Sequence, residues 1–249
     1  MKYVYQSDKG KVRKLNEDAV AVFPSENAVL AVVADGMGGH QAGDVASKLT
    51  IEEIEKMWSE LDVPLEKLDL ENWLADSIKK VNNVVFEKAQ SDTSCQGMGT
   101  TVVVAICTAQ ELVIGHIGDS RAYLFNQSTW KQVTADHSLV GELVRTGQLS
   151  EEDAQVHPKR NVILKALGTE PDLEPDIFRA QWDEYQRLLI CSDGLTNKVT
   201  DEELHEIIMR TEDDKLSQTL IDLANDRGGE DNISLAVIKQ HEEVGEPPC

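Results

Sequence analysis

The chain predicts an α+β layered domain in which hairpins dominate and the sheet is mainly antiparallel. Three observations carry that expectation. Seven runs rich in Val, Ile and Leu recur between turn residues, at 19–23, 28–34, 100–107, 111–118, 122–125, 187–191 and 233–239. Several are joined too closely for a helical crossover: Glu26-Asn27 links the first to the second, and residues 108–110 link the third to the fourth. Helical patterns come in runs of their own rather than alternating with the strands.

Each helix is justified by its apolar spacing. Residues 44–58 carry Val45, Leu49, Ile51, Ile54 and Met57 on one face. Residues 71–90 do the same with Trp73, Leu74, Ile78, Val81, Val85 and Ala89. The stretch between them, 61–70 with Pro64, reads as a loop. Further helices are expected at 137–146, 201–209 and 215–225, and Thr200 with Glu203 forms the pattern of a capping box. Residues 141–176, rich in charge and containing His157-Pro158-Lys159-Arg160, read as a mobile insertion. With no linker and no internal repeat, residues 1–240 are expected to form one domain, followed by a polar tail at 241–249.

Composition narrows the function classes. Of 249 residues 41% are hydrophobic, enough for a sizeable core, and no apolar run approaches membrane-spanning length. The start, Met1-Lys2-Tyr3-Val4-Tyr5-Gln6, lacks the apolar stretch of a secretion signal, so a cytoplasmic location and no membrane association are expected. Forty-five acidic residues against 24 basic ones leave a net charge of −21, which repels phosphate backbones and argues against nucleic acid as a partner. The four cysteines show no metal-ligand spacing and no arginine six residues on, so a cysteine-nucleophile phosphatase loop is absent. Cys107 and Cys191 read as small core residues.

Acidic residues at strand boundaries are the exception to a merely solvated surface. Asp18 precedes the first strand, Asp35 ends the second, Asp119 follows the fourth, Asp193 follows 188–191, and Asp231 precedes the last. Each alone is readable as a turn: Asp-Gly is a common turn dipeptide, Asp119 could close a hairpin with Ser120, and Asp231-Asn232 could be an Asx turn. Together they have a single explanation. Several carboxylates brought close would repel, and a hard divalent cation removes the difficulty. All-oxygen ligation suits magnesium or manganese, with calcium a further fit.

Arg13 is a candidate phosphate grip, since a guanidinium donates paired hydrogen bonds, against the alternative of an ordinary surface arginine. His40, after Gly38-Gly39, is a candidate proton donor to a departing oxygen, against a capping or solvated histidine. His116 reads as a satisfied core residue and His137 as a structural pair with Asp136. Arg121, beside Asp119, reads as an ion-pair former, and Thr100 and Thr101 as residues shaping a strand entry.

The ordered set of motifs resembles the metal-dependent type-2C protein serine/threonine phosphatases (PPM), in their compact bacterial form. The matching residues are Arg13-Lys14-Leu15-Asn16-Glu17-Asp18, Ala34-Asp35-Gly36-Met37-Gly38-Gly39-His40, Gly99-Thr100-Thr101, Gly118-Asp119-Ser120-Arg121, Asp136-His137, Ser192-Asp193-Gly194-Leu195 and Asp231-Asn232, spanning residues 13 to 232. The resemblance implies a four-layer α-β-β-α sandwich with two central, mainly antiparallel sheets and a metal cleft at one end. It implies hydrolysis of phosphoserine and phosphothreonine monoesters by direct attack of metal-activated water at a binuclear centre. By the same pattern Asp35 bridges two Mn2+ or Mg2+ ions, the Gly36 carbonyl completes the first site, and Asp193 and Asp231 hold the second. Glu17 or Asp18 acts through bound water, Asp119 with Asp193 matches a third, weaker ion, and 141–176 becomes a flap beside the cleft. Implied partners are phosphorylated proteins made by a serine/threonine kinase; a monomer is the default expectation, independent of the resemblance. A two-metal phosphodiesterase or small-molecule phosphatase, and a non-catalytic binder retaining the fold, are the competing classes.

Overall fold

The computed structural model describes residues 1–38, 42–182 and 185–240. In chain order the strands are β1 (Lys2–Asp8), β2 (Asp18–Pro24), β3 (Ala28–Met37), β4 (Gly99–Thr100), β5 (Val102–Thr108), β6 (Glu111–Ile117), β7 (Arg121–Phe125), β8 (Trp130–Gln132), β9 (Asp176–Gln181), β10 (Arg187–Cys191) and β11 (Ile233–Lys239). The helices are α1 (Ala42–Ser59), α2 (Leu70–Ser91), α3 (Leu139–Arg145), α4 (Glu151–Val156), α5 (Asp193–Thr196), α6 (Asp201–Arg210) and α7 (Asp213–Asp226).

The strands form two sheets, one ordered β1-β11-β10-β7-β8 and the other β2-β3-β5-β6-β9, with β4 added to the end of β3. Every pairing is antiparallel, and for β2–β3, β5–β6 and β7–β8 the short connections require it. Alternation along β3 shows why its sequence is apolar on both faces. Val29, Ala31 and Val33 meet Leu188, Ile190 and Ala236 of the opposite sheet, while Leu30 and Val32 pack outward under Ile54 of α1 and Ile78 of α2. Beyond the first sheet, Leu189 and Val237 pack under Leu204 and Leu220 of α6 and α7. Three apolar layers therefore separate four layers of structure, helix on sheet on sheet on helix. No helix among the described residues is long and apolar enough to cross a membrane.

Some boundaries differ from expectation for physical reasons. The run at 100–107 is broken at Thr101, where β4 ends and β5 begins. β1 escaped the sequence reading because it is an edge strand, with Lys2, Tyr3 and Tyr5 exposed and its other residues only half-buried. β9 lies at the other edge, carries Arg179 and Gln181 among its apolar residues, and closes the segment read as an insertion. α3 runs into that segment and α4 lies within it, each opened by a serine, Ser138 and Ser150, whose side chain accepts from the backbone N–H three residues on. The capping box is present at α6: the Thr200 hydroxyl accepts from the Glu203 N–H at 3.4 Å, and the Glu203 carboxylate accepts from the Thr200 N–H at 3.0 Å.

Candidate metal centre

The register delivers the acidic residues to one end of the sandwich. Asp18 opens β2 directly opposite Asp35 near the end of β3. Val33 and Val103 are partners, so the end of β3 lies beside the start of β5, and Val102 pairs with Ile117 at the end of β6, two residues before Asp119. In the other sheet Cys191, ending β10, pairs with both Arg121 of β7 and Leu235 of β11. Asp193 and Asp231 therefore leave the sheet at the same edge. Five carboxylates far apart in sequence converge because antiparallel strands bring the end of one beside the start of the next.

Backbone and hydroxyl bonds fix the cluster. Thr100 Oγ1 donates to the Asp35 carbonyl at 2.9 Å, Asp35 N–H donates to Thr101 Oγ1 at 3.0 Å, and Thr101 Oγ1 lies 2.7 Å from Ser120 Oγ. Gly36 N–H donates to the Glu17 carbonyl at 3.1 Å. A Cβ at Gly36 would lie 2.1 Å from the Gly43 carbonyl oxygen, so only glycine allows this approach of β3 to α1. Ser192 Oγ donates to Asp18 Oδ2 at 2.7 Å. Asn232 joins three segments, accepting from Glu17 N–H at 2.8 Å and donating to the Lys9 and Leu15 carbonyls. Asn197 donates to Asp193 Oδ2 at 3.0 Å.

One oxygen on each of Glu17, Asp18, Asp119 and Asp193 is buried and has no hydrogen-bond partner among the described residues. Burial is the main force raising the Asp18 and Asp119 carboxyls to about 7 and that of Asp193 to about 6; mutual repulsion adds to it, from Asp193 on Asp18 and Asp119 and from Asp231 on Asp193. Asp35 is raised well above the carboxylate range, first by burial and then by Asp18, Asp193, Asp119 and Asp231 together. Glu17 is raised by burial, with Arg13 opposing. Unpaired buried carboxylate oxygens that repel one another across an all-oxygen cluster fit hard divalent cations.

Arg13 reaches the cluster, but its guanidinium is placed on Asp231 Oδ2 at 2.7 Å and on the Glu230 carbonyl at 3.3 Å. His40 lies outside the described residues, as does the tail at 241–249. Arg121 forms an ion pair, yet with Asp136 and not with its neighbour Asp119: its Nε and Nη2 both donate to the Asp136 carboxylate, at 2.7 to 3.2 Å. Asp136 is thereby taken from His137, whose Nε2 lies 3.2 Å from Asp176 Oδ2 instead. His116 is fully buried but not satisfied, since neither ring nitrogen has a partner among the described residues. Sequence reasoning missed Ser192, Asn197 and the Asn232 bridge. Ser192 and Asn232 sit beside ligand candidates in the quoted motifs, which was the available signal.

The family model described as Protein phosphatase 2C matches residues 9–224. Serine/threonine phosphatase stp of Listeria monocytogenes is 43% identical over 239 residues, covering 95% of this chain and 94% of the relative. The crystal structure of Serine/threonine phosphatase Stp1 from Staphylococcus aureus superimposes with a TM-score of 0.91 at 37% identity, covering 96% of this chain and 94% of that one. The catalytic domain of the serine/threonine protein phosphatase PstP, solved in complex with two manganese ions, gives a TM-score of 0.81 at 33% identity, with 95% and 96% covered.

Proposed function

Since the chain belongs to the protein phosphatase 2C family, we infer that it is a divalent-metal-dependent serine/threonine phosphatase acting on phosphoserine and phosphothreonine monoesters in proteins. The observation that carries the reading is the gathering of Asp18, Asp35, Asp119, Asp193 and Asp231, of which Asp18, Asp119 and Asp193 each keep a buried oxygen with no hydrogen-bond partner among the described residues. A binder that merely kept the fold would have no use for so costly an arrangement.

In this reading Asp35, the Gly36 carbonyl, Asp193 and Asp231 would hold two ions, manganese or magnesium, with Asp18 and Glu17 acting through water and Asp119 with Asp193 forming a weaker third position. Bound divalent cations supply positive charge to the phosphoryl oxygens and acidify a nearby water. The protein's own groups do the rest. Thr100 and Thr101 hold the Asp35 backbone, and Ser192 fixes one oxygen of Asp18, leaving the other buried and unpaired among the described residues. Arg13 exchanges Asp231 for the substrate phosphate, donating paired hydrogen bonds to it. Water oxygen attacks phosphorus opposite the ester oxygen, the P–O bond breaks, and the seryl or threonyl oxygen leaves with the electron pair and takes a proton. His40 is our candidate for giving that proton.

The charge of −21 disfavours phosphodiesters of nucleic acids as substrates. The same reading treats residues 1–240 as one catalytic unit, monomeric and cytoplasmic, opposing a serine/threonine kinase; the free, buried Cys95, Cys107 and Cys191 suit a reducing compartment. Phosphate release from a phosphothreonine peptide with manganese, against a phosphodiester and against chelator-treated protein, tests the assignment. Release from the peptide only, and only with metal, is the expected result; a faster phosphodiester or metal-free turnover would overturn it.

A further inference from the structure

Beside the carboxylate cluster lies a second group with different chemistry. His116 on β6 stands in register with Asp176, the first residue of β9, and His137 follows the β8 strand just before α3. One potential ligand atom from each of the three lies within 4.8 Å of the others. The His116 and His137 ring centroids are 4.7 Å apart, and His137 Nε2 is 3.2 Å from Asp176 Oδ2. His116 is fully buried, with neither nitrogen paired among the described residues. Leaving a buried imidazole without partners is costly, so this group is incomplete as it stands.

We propose that His116, His137 and Asp176 form a binding site for a zinc-class divalent ion, separate from the catalytic carboxylates, at the root of the segment that carries α3 and α4. Two imidazoles and one carboxylate suit zinc, whereas magnesium prefers the all-oxygen cluster. The 3.2 Å spacing of His137 and Asp176 matches the edge of a tetrahedron with ligand bonds of about 2.0–2.1 Å, which is roughly 3.3 Å. Burial keeps His116 neutral, lowering its pKa to about 4, and a neutral imidazole is the form that ligates. Three protein ligands leave a fourth position for water.

The position of the group gives the ion a structural consequence. His137 N–H donates to the Gly118 carbonyl at 2.7 Å, the His137 carbonyl accepts from Leu164 N–H at 2.7 Å, and Ser138 bridges Ile163. The site thus ties the α3–α4 segment to β6 and β9. Gly118 N–H donates to His137 Nδ1 at 3.1 Å, so the ring proton sits on Nε2, toward Asp176. Ligation through Nε2 sends that proton to Nδ1, and ligation through Nδ1 uses the lone pair directly. By either route the Gly118 N–H loses its acceptor, next to Asp119.

The test begins with protein saturated in magnesium, dialysed against zinc, with metal counted by atomic emission. Wild type is compared with His116→Gln and with Asp176→Asn, the latter half-exposed and able to keep its shape if the buried histidine variant fails to fold. Wild type should retain about one zinc ion more per chain than Asp176→Asn, whose zinc affinity should fall at least about ten-fold. The Gly118 amide resonance should move with zinc in wild type and stay still in the variant. Equal zinc retention by all three proteins, or a Gly118 amide indifferent to zinc, would leave only a buried water at His116 and overturn the proposal. Because the readouts are metal count and an amide shift, they succeed or fail independently of phosphatase activity.

Discussion

Ser192 shows how much of the centre depends on a residue that is not itself a ligand candidate. Its hydroxyl donates to Asp18 Oδ2 at 2.7 Å and also accepts from Ser234 N–H at 3.0 Å, so it fixes both the carboxylate and the start of β11. Such outer partners are worth about 10–100-fold in metal affinity. Ser192→Ala should therefore raise the manganese concentration for half-maximal activity by about that factor, with kcat at saturating metal changing less; an unchanged metal requirement would contradict the arrangement. Asp193→Asn removes a candidate ligand outright, and activity should fall by more than about 100-fold while circular dichroism stays native. Arg13 presents a different case because its guanidinium rests on Asp231. Arg13→Ala should raise KM for a phosphopeptide about ten-fold, the worth of one charged hydrogen bond, and leave Asp231 freer for metal. A KM that does not move would return Arg13 to the status of a surface residue.

Among the elements, legibility followed burial on two faces. β3, β5, β6, β10 and β11 announced themselves because helix on one side and sheet on the other make their sequences almost wholly apolar. β1, β8 and β9 did not, since an edge strand needs only one half-buried face and its alternation dissolves into Tyr, Lys, Arg and Gln; β2, also at an edge, was read from its apolar run at 19–23. The ligand candidates were legible as a set because a strand ending in Asp-Gly is a local signal. Their partners were not, because Asn232 reaching Lys9 and Leu15, or Arg121 choosing Asp136 over adjacent Asp119, depends on strand order. His116 illustrates the same limit: an apolar strand predicts burial, and says nothing of whether the ring finds a partner. The capping box of α6 was legible because it is closed within four residues. Thr200→Ala should cost about 1 kcal/mol, read as a lowered urea midpoint at unchanged slope.

At the scale of the whole molecule, the fold holds several carboxylates in a place where their ionised forms are disfavoured, and this sets a pH dependence opposite to that of most acidic side chains. Asp18, Asp119 and Asp193 titrate at about 7, 7 and 6 in the metal-free fold, above the ordinary aspartate value near 3.9 in the unfolded chain. Between those values the folded state binds more protons than the unfolded one, so stability falls as pH rises. For these three groups the penalty is absent below about pH 4, grows through the interval up to about 7, and is then constant, while Asp35, raised well above the carboxylate range, adds to the decline. Chelator-treated protein should accordingly melt at a higher temperature at pH 5 than at pH 8. Cations bound among the same oxygens favour the ionised carboxylates and bind only the folded chain, so millimolar manganese should raise the melting temperature, and most at pH 8. The two slopes should therefore cross: melting temperature declining with pH without metal, and flat or rising with it. A metal-free protein whose stability climbs from pH 5 to pH 8, and is untouched by manganese, would mean that these five aspartates do not share one electrostatic environment.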